Sequence, residues 1–163
     1  MNYKGAKKGW MKVLNKSKLV MQTNESKSVM NSIRLKDGEV EVNYKSSLEF
    51  KAFRYCDINK YIKKWSLEPF SIQYYKPTTK KFHKYFVDLY IEFENNQKFL
   101  VEVKSYKETI KPTIPKKKTQ KAMLNYNKAE ETYAINLCKW KAAEAFCQER
   151  GIRFLILTER ELK

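Results

Sequence analysis

Two carboxylates and a lysine stand at strand-like positions in the middle of the chain. Asp88 lies in residues 85–93 (YFVDLYIEF), a run of aromatic and β-branched residues in which aspartate is disfavoured. Glu102 and Lys104 lie in residues 99–104 (FLVEVK). The sequence holds only three aspartates. Asp37 falls in the turn signal Lys36-Asp37-Gly38 and Asp57 in a helical pattern, which leaves Asp88 as the one in an unfavourable place. Side chains on a strand alternate faces. Leu100, Glu102 and Lys104 therefore share one face, as do Phe86, Asp88, Tyr90 and Glu92. A polar turn at 94–97 joins the two runs. Symmetric pairing about that turn sets Asp88 opposite about residue 103, and a one-residue bulge brings it beside Glu102.

Paired carboxylates with a lysine two residues on suit a hard divalent cation and a phosphate. Mg²⁺ takes oxygen ligands and binds through one or two carboxylates plus substrate phosphate. Such a cation makes a bound water more acidic and offsets charge on a phosphate. Lys104 can then orient the water or stabilise developing negative charge. Glu49, on an earlier helix, can complete the metal's outer shell. Each residue also has a purely structural reading: Glu49 as a helix-capping residue, Glu102 and Lys104 as a same-face ion pair, Asp88 as a strand end.

The elements that must hold these residues follow from pattern. Ser46-x-x-Glu49 is a capping box. Leu48, Ala52, Tyr55, Cys56, Ile62 and Trp65 recur at helical spacing, so a helix is expected from Ser46 until Pro69 closes the segment. Residues 70–75 read as a strand, 77–81 as a basic turn, 85–93 as one long strand and 99–104 as the next. Residues 105–116, with Pro112 and Pro115, read as loop. Helices are expected over 117–128 and from Asn136 to Arg150, with Gly151 as the left-handed stop. Residues 152–157 form a last apolar strand. A helical crossover into it predicts a mixed sheet flanked by helices, an α/β (α+β) fold. Residues 1–43 read as a basic N-terminal arm, loop-like at 20–28 with a short strand at 39–44, ahead of one domain over 44–163.

Composition narrows the function. The chain has 163 residues and a formal net charge of +16, from 29 Lys and five Arg against 18 Asp and Glu. An AT-rich coding sequence also enriches Lys, Asn, Ile and Tyr, so the charge alone is no binding footprint. It is spread along the whole chain, which suits an enveloping contact with a polyanion. Three cysteines without a Cys-x-x-Cys pair, and a single histidine, argue against structural zinc and against a Ser-His or Cys-His nucleophile. The thiols read as reduced and structural. No apolar run reaches about 18 residues, so no transmembrane span is expected. Nothing points to a small-molecule substrate.

The order Glu49 … Asp88-x13-Glu102-x-Lys104 is the pattern of the PD-(D/E)XK nuclease superfamily, with Val87 in place of the eponymous proline. More of the chain resembles one branch of it. Residues 44–57 with Trp65 and Glu68-Pro69, the stretch His83-Lys84-Tyr85-Phe86-Val87-Asp88, and Leu100-Val101-Glu102-Val103-Lys104 are similar to the head-completion nucleases of tailed phages. So are Lys139-Trp140-Lys141-Ala142-Ala143 and Glu149-Arg150-Gly151-Ile152-Arg153-Phe154. Similarity extends to the endonuclease component of heteromeric cut-and-paste transposons. Ser105 departs from the proline that relatives often carry there. The resemblance covers about residues 44–160. It implies a PD-(D/E)XK fold, catalytic Glu49, Asp88, Glu102 and Lys104, a metal on Asp88 and Glu102, and Mg²⁺-dependent DNA cleavage, with Mn²⁺ as the substitute ion. Candidate DNA contacts are Lys80, Lys81, His83 and Lys84, then Lys107, Lys116, Lys117 and Lys118. Phage head, portal or neck proteins are the implied partners. The implied place is the host cytoplasm during assembly, with retention at the head–tail junction. A structural neck protein and a transposon endonuclease are the alternatives. The transposon reading is disfavoured here because such endonucleases usually carry a further C-terminal domain.

Overall fold

The structure, a computed structural model, describes residues 8–21, 27, 32–34 and 38–163. Asp37 and most of the 20–28 loop lie outside the described residues. The strands are β1 (Gly9–Lys12), β2 (Ser32–Arg34), β3 (Val40–Tyr44), β4 (Ile62–Leu67), β5 (Ser71–Lys76), β6 (Lys81–Phe86), β7 (Leu89–Phe93), β8 (Lys98–Val103) and β9 (Arg153–Leu157). The helices are α1 (Ser47–Ile58), α2 (Tyr106–Thr109) and α3 (Gln120–Gln148). A four-stranded sheet runs β4-β7-β8-β9, antiparallel except for the parallel β8–β9 pair. The expected mixed sheet is therefore present. A three-stranded sheet (β1-β3-β2) and a two-stranded ribbon (β5-β6) flank it.

Three expectations need correction. The early helix ends at Ile58 instead of running on past Trp65. Asn59 terminates it: its backbone is extended, and its side chain accepts the Tyr61 N–H at 2.9 Å. Ile62 and Trp65 then enter β4, their spacing compatible with either element because of a bulge between Ile62 and Lys64. Second, residues 85–93 are not one strand. β6 stops at Phe86 to pair with β5, and β7 starts at Leu89 to pair with β4 and β8. Third, the two later helices are a single 29-residue helix. No Gly or Pro interrupts it, and Asn136 is not a cap but a buried residue on the packed stripe with Trp140, Ala143 and Cys147. Thr119 caps α3, accepting the Ala122 N–H, and Gly151 makes the expected left-handed stop at φ 65°.

The core lies on both faces of the four-stranded sheet. On one face Val101 and Val103 of β8 join Leu89, Ile91, Trp65 and Phe53 of α1. On the other, Leu100 packs with Tyr85, Val87, Ala143 and Cys147. The segment read as an arm contributes to the first cluster through Met11, Val13, Val40 and Val42. Asp57 ties it down: its buried carboxylate accepts the backbone N–H groups of Leu14 and Asn15, both at 2.8 Å. Asp57→Ala leaves both donors unpaired in the interior and is expected to cost about 3 kcal/mol of stability, read as a lower urea midpoint.

Candidate active site

The turn between β7 and β8 decides where the carboxylates meet. Asn96 takes a left-handed conformation at φ 64°, and the Phe93 N–H donates to the Gln97 carbonyl at 2.9 Å. That closes a three-residue loop rather than a symmetric four-residue one. The resulting register is Leu89↔Val101 and Tyr90↔Leu100, whose continuation sets Asp88 against Glu102. No bulge is needed. Asp88 itself leaves the ladder. Its Oδ2 accepts the Val103 N–H at 2.7 Å, and its carbonyl accepts the Glu68 N–H at 2.8 Å. Burial, then the charge of Glu102, holds the Asp88 carboxyl well above the ordinary carboxylate range.

Glu102 is buried and held on both oxygens. Tyr85 Oη, at the end of β6, donates to Oε2 at 2.7 Å. Lys104 Nζ lies 3.2 Å from Oε1. Burial pushes the Tyr85 phenol up, and the adjacent Glu102 charge adds to it, so Tyr85 is a lasting donor. Burial alone would lower the Lys104 ammonium. Glu102 and Asp88 outweigh that and leave it raised. A second cation comes from α3: Lys139 Nζ lies 5.5 Å from the Tyr74 ring centroid and 5.4 Å from that of Tyr85. Burial depresses its ammonium, with Lys104 and Lys76 adding to this and Glu102 opposing it.

Glu49 stands on the other side. The Ser46 half of the capping box is formed, with the Glu49 N–H donating to Ser46 Oγ at 3.1 Å, while Glu49 Oε2 reaches one residue further back and accepts the Lys45 N–H at 2.7 Å. Burial holds its carboxyl above the ordinary range, against that N–H bond and with Glu68 and Glu102 adding to the rise. Glu68 sits in a left-handed conformation at φ 39°, its carboxylate 2.6 Å from Lys45 Nζ. Glu49, Glu68 and Asp88 line one small cavity of about 10 Å³, while Glu49 and Lys104 also border an open cleft of about 500 Å³. Among the described residues, no group of three or more His, Cys, Asp or Glu is placed to hold a metal ion. Glu49 nonetheless lies close enough for its charge to act on Asp88, and for that of Glu102 to act on it.

Residues 59–159, a span that takes in Asp88, Glu102 and Lys104, match the family described as TnsA-like endonuclease N terminal. The chain belongs to the TnsA-like endonuclease family. The head completion nuclease of Enterobacteria phage T4 is similar too, 34% identical over 123 residues, which cover 76% of this chain and 82% of that protein. The mixed sheet with flanking helices is consistent with the PD-(D/E)XK fold of TnsA-like nucleases, which generally use divalent metals. Within this TnsA-like frame, the signals from residue type and strand period reach Asp88, Glu102 and Lys104. They do not reach Tyr85, Lys139, Lys45 or Glu68, one of eleven tyrosines, two of 29 lysines and one of many glutamates.

The candidate DNA contacts fall in two places. Lys80, Lys81, His83 and Lys84 belong to the β5–β6 ribbon and its turn, and His83 is engaged with Thr79 Oγ1 at 2.7 Å. Lys107 is on α2, and Lys116, Lys117 and Lys118 precede α3. No helix of the described residues is long and apolar enough to cross a membrane.

Proposed function

We propose that the protein is a divalent-metal-dependent DNA endonuclease of phage head completion, with Mg²⁺ as its ion and Mn²⁺ as a substitute. The observation that supports this most is the convergence of Asp88, Glu102 and Lys104 at one end of β8, in a chain whose similarity to a phage head completion nuclease covers most of both proteins. Two hard carboxylates, with Glu49 in the outer shell, suit an ion that keeps waters and shares a substrate phosphate. Asp88 and Glu102 are the residues to hold it. When bound, the ion supplies Lewis-acid polarisation of the scissile phosphate and a more acidic water.

The chain's own groups do the rest. Tyr85 fixes Glu102 Oε2 through its hydrogen bond. Val103 fixes Asp88 Oδ2 in the same way. Lys104 stays protonated at neutral pH because its pKa is raised, so it acts as a fixed positive charge and not as a base. Surface lysines hold the DNA backbone. Phage head, portal or neck proteins are the proposed partners, and the head–tail junction the proposed place.

Purified protein with supercoiled plasmid and Mg²⁺ is expected to give nicked and linear forms, and none in EDTA. Cleavage no greater than that of a Glu102→Ala control, across metals and salt, would overturn the proposal. Cutting by the protein alone separates this reading from the transposon one, in which the nuclease works beside a transposase. Tyr85→Phe keeps the ring and removes the donor to Glu102. It is expected to raise the Mg²⁺ needed for half-maximal cleavage by about 10–100-fold, with DNA affinity unchanged. An unshifted Mg²⁺ dependence would show that Tyr85 only packs.

A further inference from the structure

The β5–β6 ribbon has two unlike faces. Ile72, Tyr74 and Tyr85 face inward against α3, and Tyr85 continues to Glu102. The outward face carries the cross-strand pairs Tyr75↔Phe82 and Gln73↔Lys84. Phe82 is 71% exposed and Tyr75 47%. Their rings meet edge to face, with centroids 5.6 Å apart at 72°. Lys84 shares that face, and Lys76, Lys80 and Lys81 close the end of the ribbon. By contrast Phe86, next along the same face, has Lys27 Nζ 4.5 Å from its ring centroid.

An exposed aromatic pair with Lys84 on its face and further lysines at the ribbon's end is poorly suited to an apolar protein partner, because docking would desolvate ammonium groups along with the rings. DNA satisfies both chemistries. Phosphates take the lysines, and the face of a base takes an aromatic ring. Continuous duplex hides its base faces within the stack. They are offered where stacking is interrupted, at a gap, an end or a single-stranded stretch. We propose that Tyr75 and Phe82 form a stacking platform for an unstacked base, which directs the ribbon and the adjoining carboxylate site to DNA with interrupted stacking. This deepens the nuclease reading by naming the substrate class, and its binding step stands without cleavage.

The test is made in EDTA, where no cutting confounds binding. Fluorescence anisotropy compares a continuous duplex with the same duplex carrying a short gap, and 2-aminopurine in the gap reports stacking. The full-length protein is expected to prefer the gapped DNA by about tenfold and to change the 2-aminopurine signal. Phe82→Ala and Tyr75→Ala are each expected to remove most of that preference, leaving affinity for continuous duplex unchanged. Phe82→Trp is expected to keep it. Lys84→Ala is expected to weaken both complexes equally and lower the salt slope by about one. Both ring residues face outward, so unchanged melting curves confirm folding. Equal affinity of the unaltered protein for the two DNAs, or a preference that survives in the folded Phe82→Ala and Tyr75→Ala variants, overturns the platform. Failure of the nuclease reading shows separately, as no cutting of either DNA once Mg²⁺ is restored.

Discussion

Asp88→Asn is expected to abolish DNA cleavage while making the metal-free protein more stable at neutral pH. The two effects share one cause. Asp88 is half-buried, lies beside Glu102, and has a carboxyl pKa raised well above its ordinary value, desolvation being the main cause. A carboxyl raised on folding binds its proton more tightly in the folded state than in the unfolded one. The stability it contributes is fully present below the unfolded value, about 4, and is lost as pH rises through the folded value. Above the unfolded value, burial and the Glu102 charge beside it therefore make Asp88 a cost to the folded chain. Asparagine removes the charge and keeps an oxygen to accept the Val103 N–H. Loss of a metal ligand removes several kcal/mol of transition-state stabilisation, at about 1.4 kcal/mol per decade a fall of about a thousandfold in cleavage. Thermal melts at pH 7 in EDTA should therefore place the variant above the unaltered protein. Adding Mg²⁺ should raise the melting temperature of the unaltered protein and leave the variant's where it was, since only a ligand that binds the folded state stabilises it. A variant that cuts normally, or melts lower in EDTA, contradicts the assignment of Asp88 to a strained metal pair.

Asp88 also marks how far pattern can be read. Its rarity and its misfit in an apolar run are visible in the sequence, and so is the face it shares with Tyr90 and Glu92. Its relation to Glu102 is not, because one residue more or less in the turn moves every partner across the sheet. Asn96 resolves that by adopting a left-handed conformation, which asparagine tolerates better than most residues. The break in 85–93 is hidden for a related reason. The run is apolar on both sides of Asp88, yet the Asp88 carbonyl still bonds Glu68, opposite it at the end of β4, and its side chain takes the Val103 N–H, while β6 ends two residues earlier and pairs with β5. Ile62 and Trp65 read as helical because a three-residue spacing cannot tell a helix from a bulged strand.

The site shows the same division. Glu102 and Lys104 are legible since Lys104 directly follows β8, and the strand's period of two gives them a common face. Tyr85 and Lys139 come from elements distant in sequence, the returning ribbon and the long helix. Nothing local distinguishes them from the other tyrosines and lysines of a chain rich in both. Glu49 is legible as a cap, and it is one. That it shares a small cavity with Asp88 and Glu68 is a three-dimensional fact that the capping pattern does not contain.

Lys104 gives the second large effect, and its direction depends on charge and not on proton transfer. The ammonium is 3.2 Å from Glu102 Oε1, and the nearby carboxylates hold its pKa above 10.5. A raised lysine pKa keeps the ammonium charged at neutral pH, which favours a charge role over that of a base. What it can do is offset negative charge on the phosphate as the bond breaks. Removing one such preorganised donor from a buried site costs about a hundredfold to a thousandfold in rate. Lys104→Met keeps most of the length and loses the charge, so single-turnover cleavage should fall by about that factor with DNA binding little changed. Lys104→Arg keeps the charge and should recover part of the rate, limited by the larger guanidinium in a site also bounded by Val103, Ser105 and Glu108. If Lys104 were instead the base, Arg would be as inactive as Met and the rate would climb steeply with pH toward the lysine pKa. Matching defects in the two variants, with that rise in the unaltered protein, would assign the base role to Lys104.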